Sequence, residues 1–339
     1  MYVDGGIGFN PDPAQIGKIA KNIELAGYDG VWSPETGHDP FFPLAIAAEH
    51  TEKMMLGTGI AVAFARSPMN LASVANDIQL MSKGRLMLGL GSQIKAHIEK
   101  RFSMPWSHPA PRMREFILAM RAIWDSWHNG TKLEFRGEFY THTLMTPFFS
   151  AGPNPYGPPK VLLAAVGELM TQVAGEVADG LLVHGFTTER YLKQITMPAV
   201  EAGLKASGKS RDDFIISYPA FVATGENEGE IMAATQMVKS QIAFYGSTPA
   251  YKGVLELHGW GDLQKDLNIL SKQGEWVKMG ELIDQDILEA FAIVCEPDQI
   301  AKSLLERFGG VVDRISFYAP YNIDSEIWNN TVAQLKAAK

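Results

Sequence analysis

Eight short apolar runs, each followed by a helix-like pattern, constrain the fold of this 339-residue chain more than any other feature. The runs are Tyr2–Phe9, Gly30–Glu35, Met54–Ala63, Arg85–Ser92, Val161–Val166, Gly180–Gly185, Phe214–Thr224 and Arg314–Pro320. Most are nearly continuous in apolar residues and rich in Val, Ile and Leu, as strands of a parallel sheet covered on both faces are. Parallel neighbours need right-handed crossovers, usually helices. The intervening stretches supply them. In DPAQIGKIAKNIELAG, Ile16, Ile19, Ala20 and Ile23 share one helical face, and Gly27 is placed to end the helix. In SPMNLASVANDIQLMSKG, Ser67 is a cap candidate and Pro68 occupies the first helical position. Eight such units predict an α/β chain folded as a closed (β/α)8 TIM barrel with insertions, a single domain over residues 1–339.

Two stretches break the rhythm. About residues 130–160, KLEFRGEFYTH alternates like a hairpin and the Pro/Gly-rich TPFFSAGPNPYGPPK follows it. About residues 240–285, AFYGSTPAYKGVLELHGWGDL precedes two short helical patterns. Both read as insertions without a core of their own. Long excursions of this kind serve as active-site lids, dimer contacts or plain surface cover, and the sequence leaves these open.

An apolar content of 46% supports a large core. Lys plus Arg number 30 against 38 for Asp plus Glu, the net charge is −8, and the basic residues are scattered singly, which speaks against a nucleic-acid partner. No stretch reaches the ~18 consecutive apolar residues of a membrane span. The one cysteine, Cys295, lies in the apolar AFAIVCEP and reads as an inert buried thiol. The first residues, MYVDGGIGFN, carry neither a basic nor a hydrophobic leader region, so a cytoplasmic protein is expected.

In a barrel of this kind the site forms where strands end and βα loops begin. After the second run, SPETGHDP gathers Glu35, Thr36, His38 and Asp39, with His38 suited to acid–base work near neutral pH. After the third and fourth runs come Gly59, Ile60 and Ala61, then Gly91 and Ser92. Glycines at two neighbouring mouths fit a flat ring resting on bare backbone; they fit tight packing between barrel layers equally well. After the fifth run, Val166 and Gly167 end a strand and a helix opens at Glu168, whose backbone N–H groups suit a phosphate. His184 follows the sixth run, as a site residue or as a structural histidine. GxxxxGK[ST] and HExxH are absent, GLGSQI is not a full GxGxxG, and the eight histidines lack metal-ligand spacing.

The segments AGYDGVWSPETGHDPFFPLAIAAEHT, MMLGTGIAV, SKGRLMLGLGS, PPKVLLAAVGELMTQVAGEVADGLLVHGF and DRISFYAPY, in order along the chain, together resemble the luciferase-like flavin superfamily, most closely its branch that uses the deazaflavin coenzyme F420. The resemblance implies a homodimer of TIM-like barrels that passes a hydride between the deazaflavin and a small organic substrate. It implies a cis peptide joining Gly59 and Ile60 in a bulge behind the ring, with Ala61, Gly91 and Ser92 beside it. It further implies that Gly167 and Glu168 supply backbone N–H groups to the cofactor phosphate, with Val166 and His184 also among the cofactor-binding residues. Glu35, Thr36 and His38 would line the reactive face, His38 with Glu35 doing the acid–base work. Sugar-phosphate dehydrogenases of this branch carry a histidine where this chain has Thr36 and an acid where it has Ile94, so a sugar phosphate is not the expected substrate. Two alternatives remain: an FMN-dependent monooxygenase on the same fold, and a barrel that binds a flavin without catalysis.

Overall fold

The computed structural model describes residues 1–338. Its centre is a closed barrel of eight parallel strands: β1 (Tyr2–Gly6), β2 (Gly30–Ser33), β3 (Met55–Thr58), β4 (Leu86–Gly91), β5 (Lys160–Ala165), β6 (Gly180–Val183), β7 (Ile215–Ala223) and β8 (Arg314–Tyr318). Each strand pairs with the next, and β8 closes on β1 through Tyr2 beside Arg314, Val3 beside Ile315 and Asp4 beside Ser316. One barrel strand falls on each of the eight apolar runs. A short strand, Ala292–Val294, lies along the upper part of β7.

The crossovers are helical, with the caps the residue types call for. Ser67 accepts from the N–H of Asn70 at 3.2 Å to start the helix Pro68–Met81. Gly27 and Gly208 take the left-handed conformation after the helices Ile16–Leu25 and Met197–Ser207. Between helices and barrel lies the main core, which includes Val31, Leu44, Leu71, Phe116, Ile123 and Leu163, all buried.

Alternation along the strands sends a second set of side chains inward. Trp32, Met55, Met87, Leu162, Leu182 and Ile215 form the barrel's inner cluster together with Ile60. Below them sits a buried ion pair. Arg314 donates to Asp4 through Nε at 2.8 Å and Nη2 at 2.5 Å, and the Trp32 indole N–H donates to the same carboxylate at 3.1 Å. Gly30 makes the room, since a Cβ there would stand 2.6 Å from Asp4 Oδ1 and 2.7 Å from Arg314 Nη2.

The two insertions part company. In the first, Phe135–Arg136 and Thr141–His142 form the expected hairpin. It hangs on the helix Pro109–Asn129, where the Glu115 carboxylate accepts from the N–H groups of Glu138, Phe139 and Tyr140. Asn154 then bonds to Asn76, and Tyr156 packs on Gly84 just before β4 begins. This insertion therefore covers the flank and lower end of the barrel and is no lid. The second lies between β7 and β8. Its helices Glu228–Gly246, Lys252–Glu256, Leu263–Gln273, Trp276–Glu281 and Gln285–Phe291 enclose a satellite core that includes Val238, Ile242, Leu267 and Phe291 and is shared with Phe186 and Phe221 at the barrel's upper end.

Breaking one half of a buried ion pair leaves the other charge stranded. Arg314→Met is expected to lower unfolding free energy by about 3–5 kcal/mol in urea titrations, and the double variant Asp4→Leu, Arg314→Met by distinctly less.

Candidate active site

The mouth of the barrel is shaped first by β3. Gly57 pairs with Met87, but the next pairing to β4 is Ala61 with Leu90, so four residues on one strand span three on the other. The extra residue makes a bulge at Thr58–Ile60. Within it the Gly59–Ile60 peptide is cis, the geometry that the resemblance implies there. The bulge is tied to the end of β2 by Gly59 N–H to Ser33 O at 2.9 Å and Glu35 N–H to Ile60 O at 3.2 Å.

Of the two reasons open for the glycines, packing is the one the structure bears out at Gly57, Gly89 and Gly91. A Cβ on Gly57 would meet the Trp32 ring at 2.2 Å, one on Gly89 the Thr58 carbonyl oxygen at 1.9 Å, and one on Gly91 Ile60 Cδ1 at 2.3 Å. Protein atoms occupy the space these glycines free. Gly91 is thus no bare floor for a ring; the surface offered to the mouth is the bulge itself, with Ile60 laid across Gly91. Ala61 is wholly buried behind it, and the Ser92 hydroxyl donates to Gln93 O at 3.1 Å.

The loop after β2 is held by Arg66. Its Nη1 donates to Glu35 at 2.6 Å and its Nη2 to Asp39 at 2.9 Å, while Glu35 also accepts from Val62 N–H at 2.7 Å. The Glu35 side chain is 6% exposed. Its carboxylate is an anchor between β2 and the bulge, which corrects the acid–base role expected of it: an acid already held by a guanidinium and a main-chain N–H has little left to give a substrate. The Arg66 guanidinium is held above its ordinary range by these two acids against the opposing effect of its burial. Thr36 donates through Oγ1 to Phe9 O, and its own carbonyl accepts from Arg101 at 2.5 Å. His38 stands exposed on the same loop.

Further along the rim, after β5, Gly167 opens the helix Glu168–Val177. Gly167 and Glu168 are exposed and nothing lies within 4 Å of a Cβ on Gly167, so the first N–H groups of the helix are reachable from solvent. On the neighbouring loop the buried Thr187 hydroxyl has no partner. Val166, half-buried, accepts from the Tyr191 hydroxyl at 3.4 Å. An open helix start fits a phosphate group, and the loop after the adjacent strand carries an orphaned hydroxyl.

His184 follows β6 on its inner face. Its Nδ1 accepts from Phe186 N–H at 3.0 Å, which places the proton of the neutral ring on Nε2. The rings of Tyr245 and Tyr251 each stand 4.7 Å from it. Burial among them pushes the imidazole down to about 4. Sequence reasoning missed Arg66, Trp32 and Tyr318 as organisers of this mouth. Arg66 carried one signal, a lone cation at the close of a strand run next to an acid-bearing loop. Among the described residues no group of three or more His, Cys, Asp or Glu is placed to hold a metal ion.

The chain as a whole is similar to known proteins. The sequence profile of the luciferase-like monooxygenase family matches residues 2–314, and the chain belongs to that family. An uncharacterised protein of Mycobacterium tuberculosis is 57% identical over 318 residues, spanning 93% of this chain and 92% of that one. The 5,10-methylenetetrahydromethanopterin reductase of Archaeoglobus fulgidus is 26% identical over 330 residues, 95% of each chain. Among solved structures, the coenzyme F420-dependent tetrahydromethanopterin reductase of Methanopyrus kandleri superposes with a TM-score of 0.79 over 98% of this chain and 96% of its own, at 21% identity.

Two outcomes follow from this geometry. Alanine at Gly89 meets backbone and at Gly57 a rigid ring, whereas at Gly91 it meets the far end of Ile60. Urea denaturation should rank the losses Gly89→Ala, then Gly57→Ala, then Gly91→Ala, with about 1–3 kcal/mol or more for the first two. The His184 imidazole protonates near 6.5 in the unfolded chain but only near 4 in the folded one. Between those values the unfolded state binds more protons, so stability drops as pH falls from 6.5 towards 4, by up to about 3 kcal/mol. His184→Gln should flatten that part of the pH–stability curve.

Proposed function

We propose that this chain is an oxidoreductase that binds coenzyme F420 and transfers a hydride between its ring and a small, fairly apolar organic substrate. The observation that carries the reading is the bulge at Thr58–Ile60 together with the open helix start after β5, two strands along the same rim. The likeness to F420-dependent reductases supports it. When bound, the deazaflavin supplies the hydride donor or acceptor. The chain's own residues bind and orient it. Gly59 and Ile60 form the surface behind the ring, with Ala61 buried beneath them and Ser92 at its edge. Val166, Gly167 and Glu168 offer main-chain atoms to the phosphate, and Thr187 adds a hydroxyl. Thr36 and His38 lie on the loop over the reactive face, and His38 exchanges the proton with solvent. Arg66, through Glu35 and Asp39, holds that loop to the bulge. The second insertion shields the mouth from water.

Two copies of the chain are proposed to pair through the helices Phe41–His50 and Pro68–Met81, where Phe42, 74% exposed, and Met81 border an apolar groove of about 590 Å³. The half-buried Cys295, whose thiol burial pushes up to about 11, accords with a reducing cytoplasmic setting. No helix among the described residues is long and apolar enough to cross a membrane.

The second reading, an FMN-dependent monooxygenase, draws on the family match, and an open helix start would receive the phosphate of either cofactor. Fluorescence titration of the purified protein separates them. The expected result is F420 binding with a Kd of about 1 μM or below and FMN binding at least about tenfold weaker. The reverse order would install the monooxygenase reading, and binding of neither would remove both.

A further inference from the structure

The upper rim of β6, β7 and β8 carries a set of rings that the hydride-transfer reading has not used. Leu182 and Ile215 face the barrel interior, and Arg314 meets Asp4 there. Counting by twos from these puts His184, Phe221 and Tyr318 in the top inward layer, at the end of the barrel where all eight parallel strands finish. Phe221 and Tyr318 are register partners and lie flat together, 4.6 Å apart at 16°. The second insertion lowers Tyr245 and Tyr251 onto this layer. Tyr245 is the hub, edge-on to His184 at 4.7 Å and within 6.4 Å of Phe221 and Tyr318 ring to ring. Its hydroxyl and that of Tyr318 are 2.6 Å apart, a strong contact between two neutral groups.

Two properties of this wall select a ligand. It is uncharged. No acid or base is close enough to perturb His184, Tyr245, Tyr251 or Tyr318; the groups that act on them are one another, the Gln241 amide and burial. Burial keeps the three phenols protonated and the imidazole neutral, so no cation is present for a phosphate or carboxylate. It also presents a donor. Either hydroxyl can donate across this contact; with Tyr318 and the Gln241 amide both donating to the Tyr245 oxygen, the Tyr245 hydrogen is left for a ligand. A flat apolar body against the rings and one acceptor oxygen satisfy such a surface.

We propose that His184, Tyr245, Tyr251 and Tyr318 form the substrate subsite, and that it takes an uncharged aromatic carbonyl compound whose oxygen accepts from the Tyr245 hydroxyl. The subsite rests on the hydride-transfer reading for its purpose: as hydride passes from the reduced deazaflavin to the carbonyl carbon and the C=O π bond opens, the Tyr245 hydroxyl gives its proton to the oxygen to form the alcohol and regains one from solvent. Phe244 and Trp260, on the same insertion, take no part. Phe244 is exposed beside Trp276, and Trp260 stacks on His258.

The test uses the full chain, with and without F420, and acetophenone carrying a 13C-labelled carbonyl as the probe. Infrared difference spectra are expected to show the carbonyl stretch of the bound probe moving to lower wavenumber. Tyr245→Phe should abolish that shift and weaken acetophenone binding about tenfold, while F420 affinity changes less than about twofold. Tyr318→Phe, which keeps the donor but removes its partner, should leave a smaller shift and shows that the effect is not a loss of fold. The carboxylate analogue 4-acetylbenzoate should bind at least about tenfold more weakly than acetophenone. A shift that survives Tyr245→Phe, equal binding of 4-acetylbenzoate, or no acetophenone binding by a protein that does bind F420 overturns the subsite alone. Acetophenone bound with the expected shift by a protein that refuses F420 upholds the subsite and overturns the hydride-transfer reading beneath it.

Discussion

Trp32 is the side chain on which the interior of the barrel depends. Its indole N–H is bonded to the Asp4 carboxylate at the lower end, where Arg314 neutralises that charge. Its six-membered ring fills the place of a Gly57 side chain, and its Cβ lies 3.3 Å from where a Gly59 Cβ would be. One residue thus spans from the buried ion pair to the bulge at the mouth. The chain of contact continues through Ile60 onto Gly91 and through the Thr58 carbonyl onto Gly89. A barrel of eight strands has room inside for little more than its own side chains. Three glycines on two adjacent strands are what that room requires once a tryptophan and a bulge must share it.

The fold was legible because its signals are local and repeated. Each barrel strand falls on an apolar run, the fifth starting one residue ahead of it at Lys160, Ser67 and Pro68 cap as their types predict, and the KLEFRGEFYTH hairpin forms. The site was legible in part. The bulge, the open start at Gly167 and the acid-bearing loop after β2 all stand where strand ends put them. What glycine spacing cannot disclose is the identity of the neighbour it admits. Gly57, Gly89 and Gly91 were consistent with a ligand or with packing, and the choice is made by Trp32, Thr58 and Ile60, which come from a neighbouring strand and a neighbouring loop. Glu35 is the same lesson in electrostatics. Its type and position fit a general base, but Arg66, 31 residues further on, claims its carboxylate.

The mouth has two chemically distinct halves. On the β2–β3 side a charged network of Glu35, Arg66 and Asp39 is spent internally, fixing a loop to a bulge. Such a network has its value in geometry, since ion pairs satisfied within the protein offer little attraction to a ligand. On the β6–β8 side the groups are polar but neutral, with His184 and Tyr251 displaced by burial in the direction that keeps each uncharged, towards about 4 and about 12. Over the whole neutral range this half keeps one charge state, so its hydrogen-bonding pattern does not vary with pH.

That division explains why the two insertions matter unequally. The one between β4 and β5 is secured on Glu115 and Asn76, outside and below the barrel, and changes nothing at the strand ends. The one between β7 and β8 returns Tyr245 and Tyr251 to the rim and shares its core with Phe186 and Phe221, so it cannot move without exposing the apolar faces of β6 and β7. A fold alone does not specify a reaction. Here the barrel provides a bulge and a helix start, both built from the strand ends themselves. Two of the four rings proposed to meet a substrate, Tyr245 and Tyr251, come instead from an excursion in the seventh crossover, the part of the chain freest to differ while the barrel beneath it stays closed.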